Sequence, residues 1–176
     1  MKIFAETEHL ILREIVVEDT GDMFRLDSDP LVHEYLGKNP ISCMGKAREY
    51  IDHIQMQYEK YGIGRWAAIE KSSGDWIGWT GLKMNTEWSP NGHSNFYDVG
   101  YRFMPQYWGK GYGTESSIAA RDYFFEHFPN QKLCGIAELG NGASCRILEK
   151  IGLERKEDFF YEPENIMLAW FEKLPK

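Results

Sequence analysis

The chain lacks any apolar run long enough to cross a bilayer, and Met1 does not open a basic, apolar, small-residue leader. Both absences predict a cytoplasmic protein with no membrane partner. Only three cysteines occur, Cys43, Cys134 and Cys145, and none is spaced as Cys-x-x-Cys, which fits a reducing compartment without zinc. The five histidines (His9, His33, His53, His93, His127) are scattered without ligand spacing, so no metal is expected. Basic residues number 20 against 27 acidic ones. The resulting net charge of −7 argues against a nucleic-acid partner and suits a cationic acceptor such as an amine, while leaving room for a local basic patch. No linker, internal repeat or low-complexity tract divides the 176 residues, so residues 1–176 are expected to form one domain.

Strand and helix patterns alternate along this domain. His9 to Val17 reads as a first strand, with Leu10, Leu12 and Ile15 apolar. Glu18-Asp19-Thr20 can start a helix, and Asp29-Pro30 predicts a second short one through Leu36. Ser42 can cap the clearest helix, which carries Ala47, Tyr50, Ile51, Ile54, Tyr58 and Tyr61 at helical spacing. Its aromatics read as core, with one or two available to line an acceptor pocket. Arg65 to Glu70 and Trp76 to Met84 read as a hairpin, in which Gly78 and Gly81 predict a bulge or a close approach. The polar stretch Asn85 to Asn95 reads as a mobile loop beside the acceptor, or as inert surface. Tyr97 to Phe103 is a strand and Thr114 to Phe128 a helix. Leu133 to Glu138 is the next strand, Asn141 to Lys150 a helix closed by Gly152, and Phe159 to Tyr161 with Ile166 to Phe171 a final antiparallel pair. Pattern alone gives an α/β or α+β class in the order β-α-α-β-β-β-α-β-α-β-β.

Between the strand closed by Met104-Pro105 and the helix from Thr114 lies Gln106-Tyr107-Trp108-Gly109-Lys110-Gly111-Tyr112-Gly113-Thr114-Glu115. Alternating glycines let backbone approach a bulky group, and the N–H groups of a helix's first turn favour an anion such as a phosphate. The spacing fits neither a Walker loop nor a Rossmann turn. Gln-x-x-Gly-x-Gly, written by Gln106, Gly109 and Gly111, resembles the acetyl-CoA pyrophosphate loop of the GNAT superfamily of N-acetyltransferases. The longer string is similar to the RimJ/RimL branch, which acetylates ribosomal-protein N-termini and other amines. About thirty residues downstream, Asn141-Gly-Ala-Ser144-Cys-Arg-Ile-Leu148-Glu-Lys-Ile-Gly152-Leu153 resembles the second signature of the family. With Leu10-Ile11-Leu12-Arg13, the likeness spans nearly the whole chain.

The resemblance implies a strongly curved mixed sheet flanked by helices, whose central strands splay to admit the pantetheine arm of acetyl-CoA. It implies that Gln106, Gly109, Lys110, Gly111, Tyr112, Gly113 and Thr114 hold the pyrophosphate. Backbone groups of Phe103 and Met104 would pair with the pantetheine arm, as would the Asn141 amide. Many members protonate the leaving thiolate with a tyrosine at the position held here by Leu148, so the resemblance assigns that stabilisation to Ser144 instead. The alternative is that Asn141 and Ser144 serve only as helix caps. Asp98, with Gly100 leaving room on its face, is the candidate base, or else a solvated strand carboxylate. Cys145 has no histidine partner motif, so direct transfer in a ternary complex is expected, the oxyanion held by a backbone N–H of Val99 to Phe103. The acceptor stays open between a protein N-terminus and a small-molecule amine, and a homodimer also stays open. A non-catalytic acyl-CoA-binding or sensing module is the alternative class.

Overall fold

The computed structural model describes residues 1–175. β1 (Ile3–Glu6) and β2 (Leu10–Glu14) form an edge hairpin, followed by α1 (Thr20–Asp27) and α2 (Met44–Tyr61). β3 (Arg65–Glu70), β4 (Trp76–Asn85) and β5 (Phe96–Phe103) make an antiparallel meander. α3 (Tyr112–His127), β6 (Leu133–Glu138) and α4 (Gly142–Lys150) come next, and β7 (Glu154–Tyr161) and β8 (Ile166–Lys173) close the chain. The eight strands form one sheet in the order β1-β2-β3-β4-β5-β6-β8-β7, in which only β5 and β6 run parallel.

Strand alternation sends side chains to two helical layers. On one face Leu12, Trp66, Leu82, Val99 and Phe103 meet Ala120 and Phe124 of α3 and Leu148 of α4. On the other, Ala67 and Trp79 meet Met23 and Leu26 of α1 and Ala47, Ile51 and Ile54 of α2. Two buried polar groups fix the second layer. The Arg13 guanidinium holds Asp19 through two 2.7 Å bonds, and Asp19 also accepts from Val16 N–H, which joins β2 to the turn before α1. The Gln57 amide clamps both backbone groups of Met84, at 3.1 and 3.0 Å, which ties α2 to β4.

The structure departs from the sequence reading in several places, among them β7, which begins at Glu154 rather than Phe159. β1 was not expected, because four residues are too short to display a period. The first expected strand is shorter, ending at Glu14 where a 3-10 turn follows. After Asp29-Pro30 the chain forms turns rather than a helix, since the Asp29 carboxylate closes on Leu31 N–H instead of capping a continuing spiral. Cys43, rather than Ser42, precedes α2, with no side-chain cap. The Asn85 to Asn95 segment is docked on β7 and β8: Trp88 Nε1 donates to Tyr161 Oη at 3.2 Å, and His93 stacks 3.9 Å from Trp170 while bonding Glu157.

Gly78 and Gly81 answer to close approaches within the sheet. The β3–β4 register shifts between Ala68 and Ile69, opposite Gly78. A Cβ at Gly78 (φ +153°) would lie 2.2 Å from the Arg102 carbonyl oxygen, and one at Gly81 (φ +122°) 2.7 Å from that of Gly64. Gly78→Ala is therefore expected to lower stability by about 2–4 kcal/mol, or roughly 4–16 °C in melting temperature, through overpacking and backbone strain. Gly74→Ala has positive φ and open space, so it should cost only about 1 kcal/mol. Thermal melts of the two variants check the contrast.

Candidate active site

The central feature is a break in the sheet. β5 and β6 pair only at Tyr97 with Leu133 and Asp98 with Cys134. Beyond these, β5 stays bonded to β4 along its full length and β6 to β8. The edges of Val99–Phe103 and of residues 135–138 that face each other therefore have no strand partner, and their backbone groups stand available to an extended ligand. Because β5 and β6 are parallel, both end on the same side, and the helices that follow them begin beside the gap.

Of these, α3 starts from the glycine loop. A 3-10 turn, Pro105–Tyr107, leads to Gly109 (φ +76°) and Gly111 (φ +89°), and a Cβ on either would meet nothing within 4 Å. Gly111 is the N-cap, and the first helical bond runs from Glu115 N–H to its carbonyl, leaving the N–H groups of Tyr112, Gly113 and Thr114 without intrahelical acceptors. Gly113 has a separate role, since a Cβ there would lie 2.8 Å from Ile147 Cδ1 of α4. The Tyr112 side chain turns back into the core, where its hydroxyl donates to Glu70 at 2.5 Å. That bond pushes the Tyr112 phenol up to about 12 and holds the Glu70 carboxyl below its usual range. Lys110 Nζ lies 3.7 Å from Glu70 and 4.8 Å over the Tyr107 ring. Gln106 is exposed, with only a 3.7 Å contact to Met104 Sδ. Glu115 accepts from both His9 N–H and His9 Nδ1, so the last residue of the motif anchors α3 to the edge hairpin.

Phe103 and Met104 are more committed than expected. Met104 N–H donates to the Ile77 carbonyl and its own carbonyl accepts from Tyr107 N–H, so its backbone is spent inside the protein. The Phe103 carbonyl accepts from the exposed Trp108 indole at 2.7 Å. The open edge of β5 is thus the part upstream, Val99 to Arg102.

Across the gap, α4 presents Asn141 and Ser144. Asn141 Oδ1 caps the helix by accepting from Ser144 N–H at 3.1 Å, which leaves its two amide donors without a partner among the described residues. Tyr101 of β5 reaches over to Ser144. Its hydroxyl donates to the Ser144 carbonyl at 3.0 Å and shares a 2.8 Å bond with Ser144 Oγ. With the phenol's single proton on the carbonyl, the serine hydroxyl supplies the proton of the shorter bond. Burial pushes the Tyr101 phenol up, against the smaller opposing effect of Ser144. Sequence reasoning missed Tyr101, because a tyrosine alternating with Val99 and Phe103 on a strand reads as core. Leu148 is fully buried. Burial raises both nearby thiols, Cys134 to about 12 and Cys145 by less, so neither is poised as a thiolate nucleophile.

Asp98 lies at the last β5–β6 pair, on the opposite face from Tyr101. Its Oδ2 accepts from Arg65 at 2.8 Å and its Oδ1 from Asn85 at 2.7 Å. The room expected at Gly100 is filled by Arg65, whose Cζ would be 2.8 Å from a Cβ there. Arg65 also donates to the Gly81 carbonyl and lies 5.2 Å over Trp79. It forms one wall of a cavity of about 260 Å³ lined by Tyr50, His53, Ile54, Gln57, Leu82 and Lys83 as well. The aromatics of α2 are thereby divided. Tyr58 is internal, bonded to the Arg65 carbonyl and to Ile15 N–H, whereas Tyr50 lines the cavity.

This geometry has counterparts among known proteins. Residues 9–154 match a family model described as an acetyltransferase (GNAT) domain. YkkB of Bacillus subtilis strain 168 is 30% identical over 149 residues, 84% of this chain and 83% of that protein. The uncharacterized N-acetyltransferase p20 of Bacillus licheniformis is 27% identical over 85% of this chain and 82% of its own. A GNAT-family acetyltransferase of Bacillus anthracis shares the fold with a TM-score of 0.77 at 21% identity, covering 99% of this chain and 98% of that one. So does a spermidine N-acetyltransferase of Vibrio cholerae solved with CoA and spermine, with a TM-score of 0.74 at 16% identity over 94% and 95% of the two chains. The split sheet, the glycine loop at its mouth and the match over residues 9–154 lead to one conclusion: the chain belongs to the GNAT superfamily and is an acetyltransferase.

Proposed function

We propose that this chain is a single-domain N-acetyltransferase of the RimJ/RimL-like branch, transferring the acetyl group of acetyl-CoA to a primary amine by direct attack in a ternary complex. The observation that carries the proposal is that the β5–β6 ladder stops at Asp98, with the uncapped first turn of α3 and the free Asn141 amide donors of α4 at the same end. The branch rests on the run Tyr107 to Glu115 and on Ser144. Three free cysteines support a cytoplasmic location.

Bound acetyl-CoA supplies an activated thioester. The N–H groups of Tyr112, Gly113 and Thr114 hold its pyrophosphate, with Gly109 and Gly111 giving the approach and Lys110 the counter-charge. Gln106 lies at the loop's entrance, where its amide is free to donate. The Asn141 amide and the open edge of β5, from Val99 to Arg102, orient the pantetheine. An N–H of that edge stabilises the oxyanion as the amine attacks. Ser144 turns its hydroxyl from Tyr101 to hydrogen-bond the departing thiolate, keeping its own proton, and Tyr101 keeps the serine backbone in place. Asp98 draws the proton from the amine directly or through water. Arg65 and Asn85 fix its carboxylate while each oxygen retains a lone pair.

Acetyl-CoA or CoA at a hundredfold excess over Kd should raise the melting temperature by about 5–10 °C, whereas ATP and NAD should do much less. Gly111→Glu should lose that shift while lowering ligand-free stability by only about 1 kcal/mol, because it puts a charged side chain where the phosphate lies. A folded variant with unchanged CoA affinity in calorimetry would move the cofactor elsewhere.

Ser144→Ala should lower kcat by roughly 5- to 150-fold, the equivalent of one hydrogen bond of about 1–3 kcal/mol, with little change in CoA affinity. Single-turnover kinetics check this, and an unaffected chemical step would reduce Ser144 to a helix component. Asp98→Asn should suppress activity most at low pH, where the amine most needs deprotonation. An unchanged pH–rate profile would assign that proton to water alone.

A further inference from the structure

The cavity beside Asp98 has a chemical character of its own. None of its seven lining residues is acidic, and Arg65, Lys83 and His53 are basic. Their situations differ. Arg65 is already engaged by three hydrogen bonds, to the Asp98 carboxylate and to the carbonyls of Gly81 and Asp98. The Gln57 amide is committed to Met84. Lys83 is half-buried and makes no ion pair or side-chain hydrogen bond among the described residues. Its neighbour on the paired strand is Asp98, whose two oxygens already serve Arg65 and Asn85, and the other nearby acid, Glu87, is exposed. Burial lowers the Lys83 ammonium from its usual value, as expected of a cation left without a partner. Burial and the charge of Lys83 likewise hold His53 below its ordinary range, and Tyr50 sits on the rim.

The cavity therefore offers an unpaired cation and neutral polar groups, with no carboxylate to receive a second positive charge. It also adjoins the reaction point, because its Arg65 wall lies on Gly100 and bonds Asp98, the last residue before the strands part. We infer that this cavity is the acceptor site and that it selects a small primary amine carrying a carboxylate, held by Lys83, with its amine directed to the Asp98 end. The inference rests on the acetyl-transfer reading above. A polyamine would bring cations against Lys83 and Arg65 without a counter-ion, at a cost set by poor solvation. The volume of about 260 Å³ suits an amino acid better than a peptide segment.

The test measures acetyl transfer at saturating acetyl-CoA to the common α-amino acids, β-alanine and 4-aminobutyrate, each beside its carboxamide, with spermidine and acid-free pentapeptides in parallel. The best amino acid should exceed its carboxamide in kcat/KM by roughly 10- to 100-fold, the range of one charge-assisted hydrogen bond. Lys83→Met should remove most of that ratio through KM for the acid, leave the acetyl-CoA melting shift unchanged, and be partly rescued by Lys83→Arg. Carboxamides, spermidine or pentapeptides used as well as the acids would overturn the inference while leaving the transferase intact. So would an acid preference that survives in Lys83→Met. A chain that acetylates no amine and gains no stability from acetyl-CoA would instead overturn the transferase reading, and this inference with it.

Discussion

Everything at the candidate site depends on two neighbouring strands ceasing to pair. A buried parallel ladder normally runs as far as both strands last, because each unpaired backbone group costs free energy. Here it holds for two residue pairs and then opens, although β5 and β6 both continue. The arrangement is tolerable because each strand keeps a full ladder on its other side, eight residues deep with β4 and six with β8. The two sheets so formed can diverge without losing their own bonds. What they leave between them is a slot with peptide groups on its walls, which a ligand bearing amides can occupy as a missing strand would.

Around that slot the charges are sorted by face. On the side of α3 and α4, the polar contact that crosses the slot is the Tyr101–Ser144 bridge between two neutral hydroxyls. The side of α1 and α2 carries a chain of ions: Arg65 with Asp98, and Arg102 with Asp27 at 2.5 Å, the two guanidiniums flanking the Trp79 ring at 5.2 and 5.1 Å. The total of −7 thus conceals a locally basic cavity. Net charge is a poor guide to such a site, since a ligand senses the groups within a Debye length rather than the sum over the chain.

How much was legible in the sequence follows the range of the interactions involved. Strands such as Arg65–Glu70 and Leu133–Glu138 announced themselves because a short apolar run between turns is a local signal, and the glycine loop did so because positive φ restricts residue type. The turns after Asp29 were misread because a carboxylate there can cap a helix or close a turn, and only tertiary packing chooses. Arg65, Lys83 and Tyr101 carried no signal at all. They are ordinary strand residues whose meaning comes from partners tens of positions away, such as Asp98 for Arg65 and Ser144 for Tyr101. The free or spent state of the Phe103 and Met104 backbone was equally invisible, being decided by Trp108, Tyr107 and Ile77.

Gly113 carries one more consequence. It was read as a third phosphate-loop glycine, yet its missing side chain is what lets α3 seat on Ile147 of α4. The first turn of α3 therefore packs directly against the side of α4, and the separation of the two helices that flank the slot is set by a methyl-sized contact. A larger residue at this position would act as a spacer between the two helices, altering the mouth of the slot without entering it.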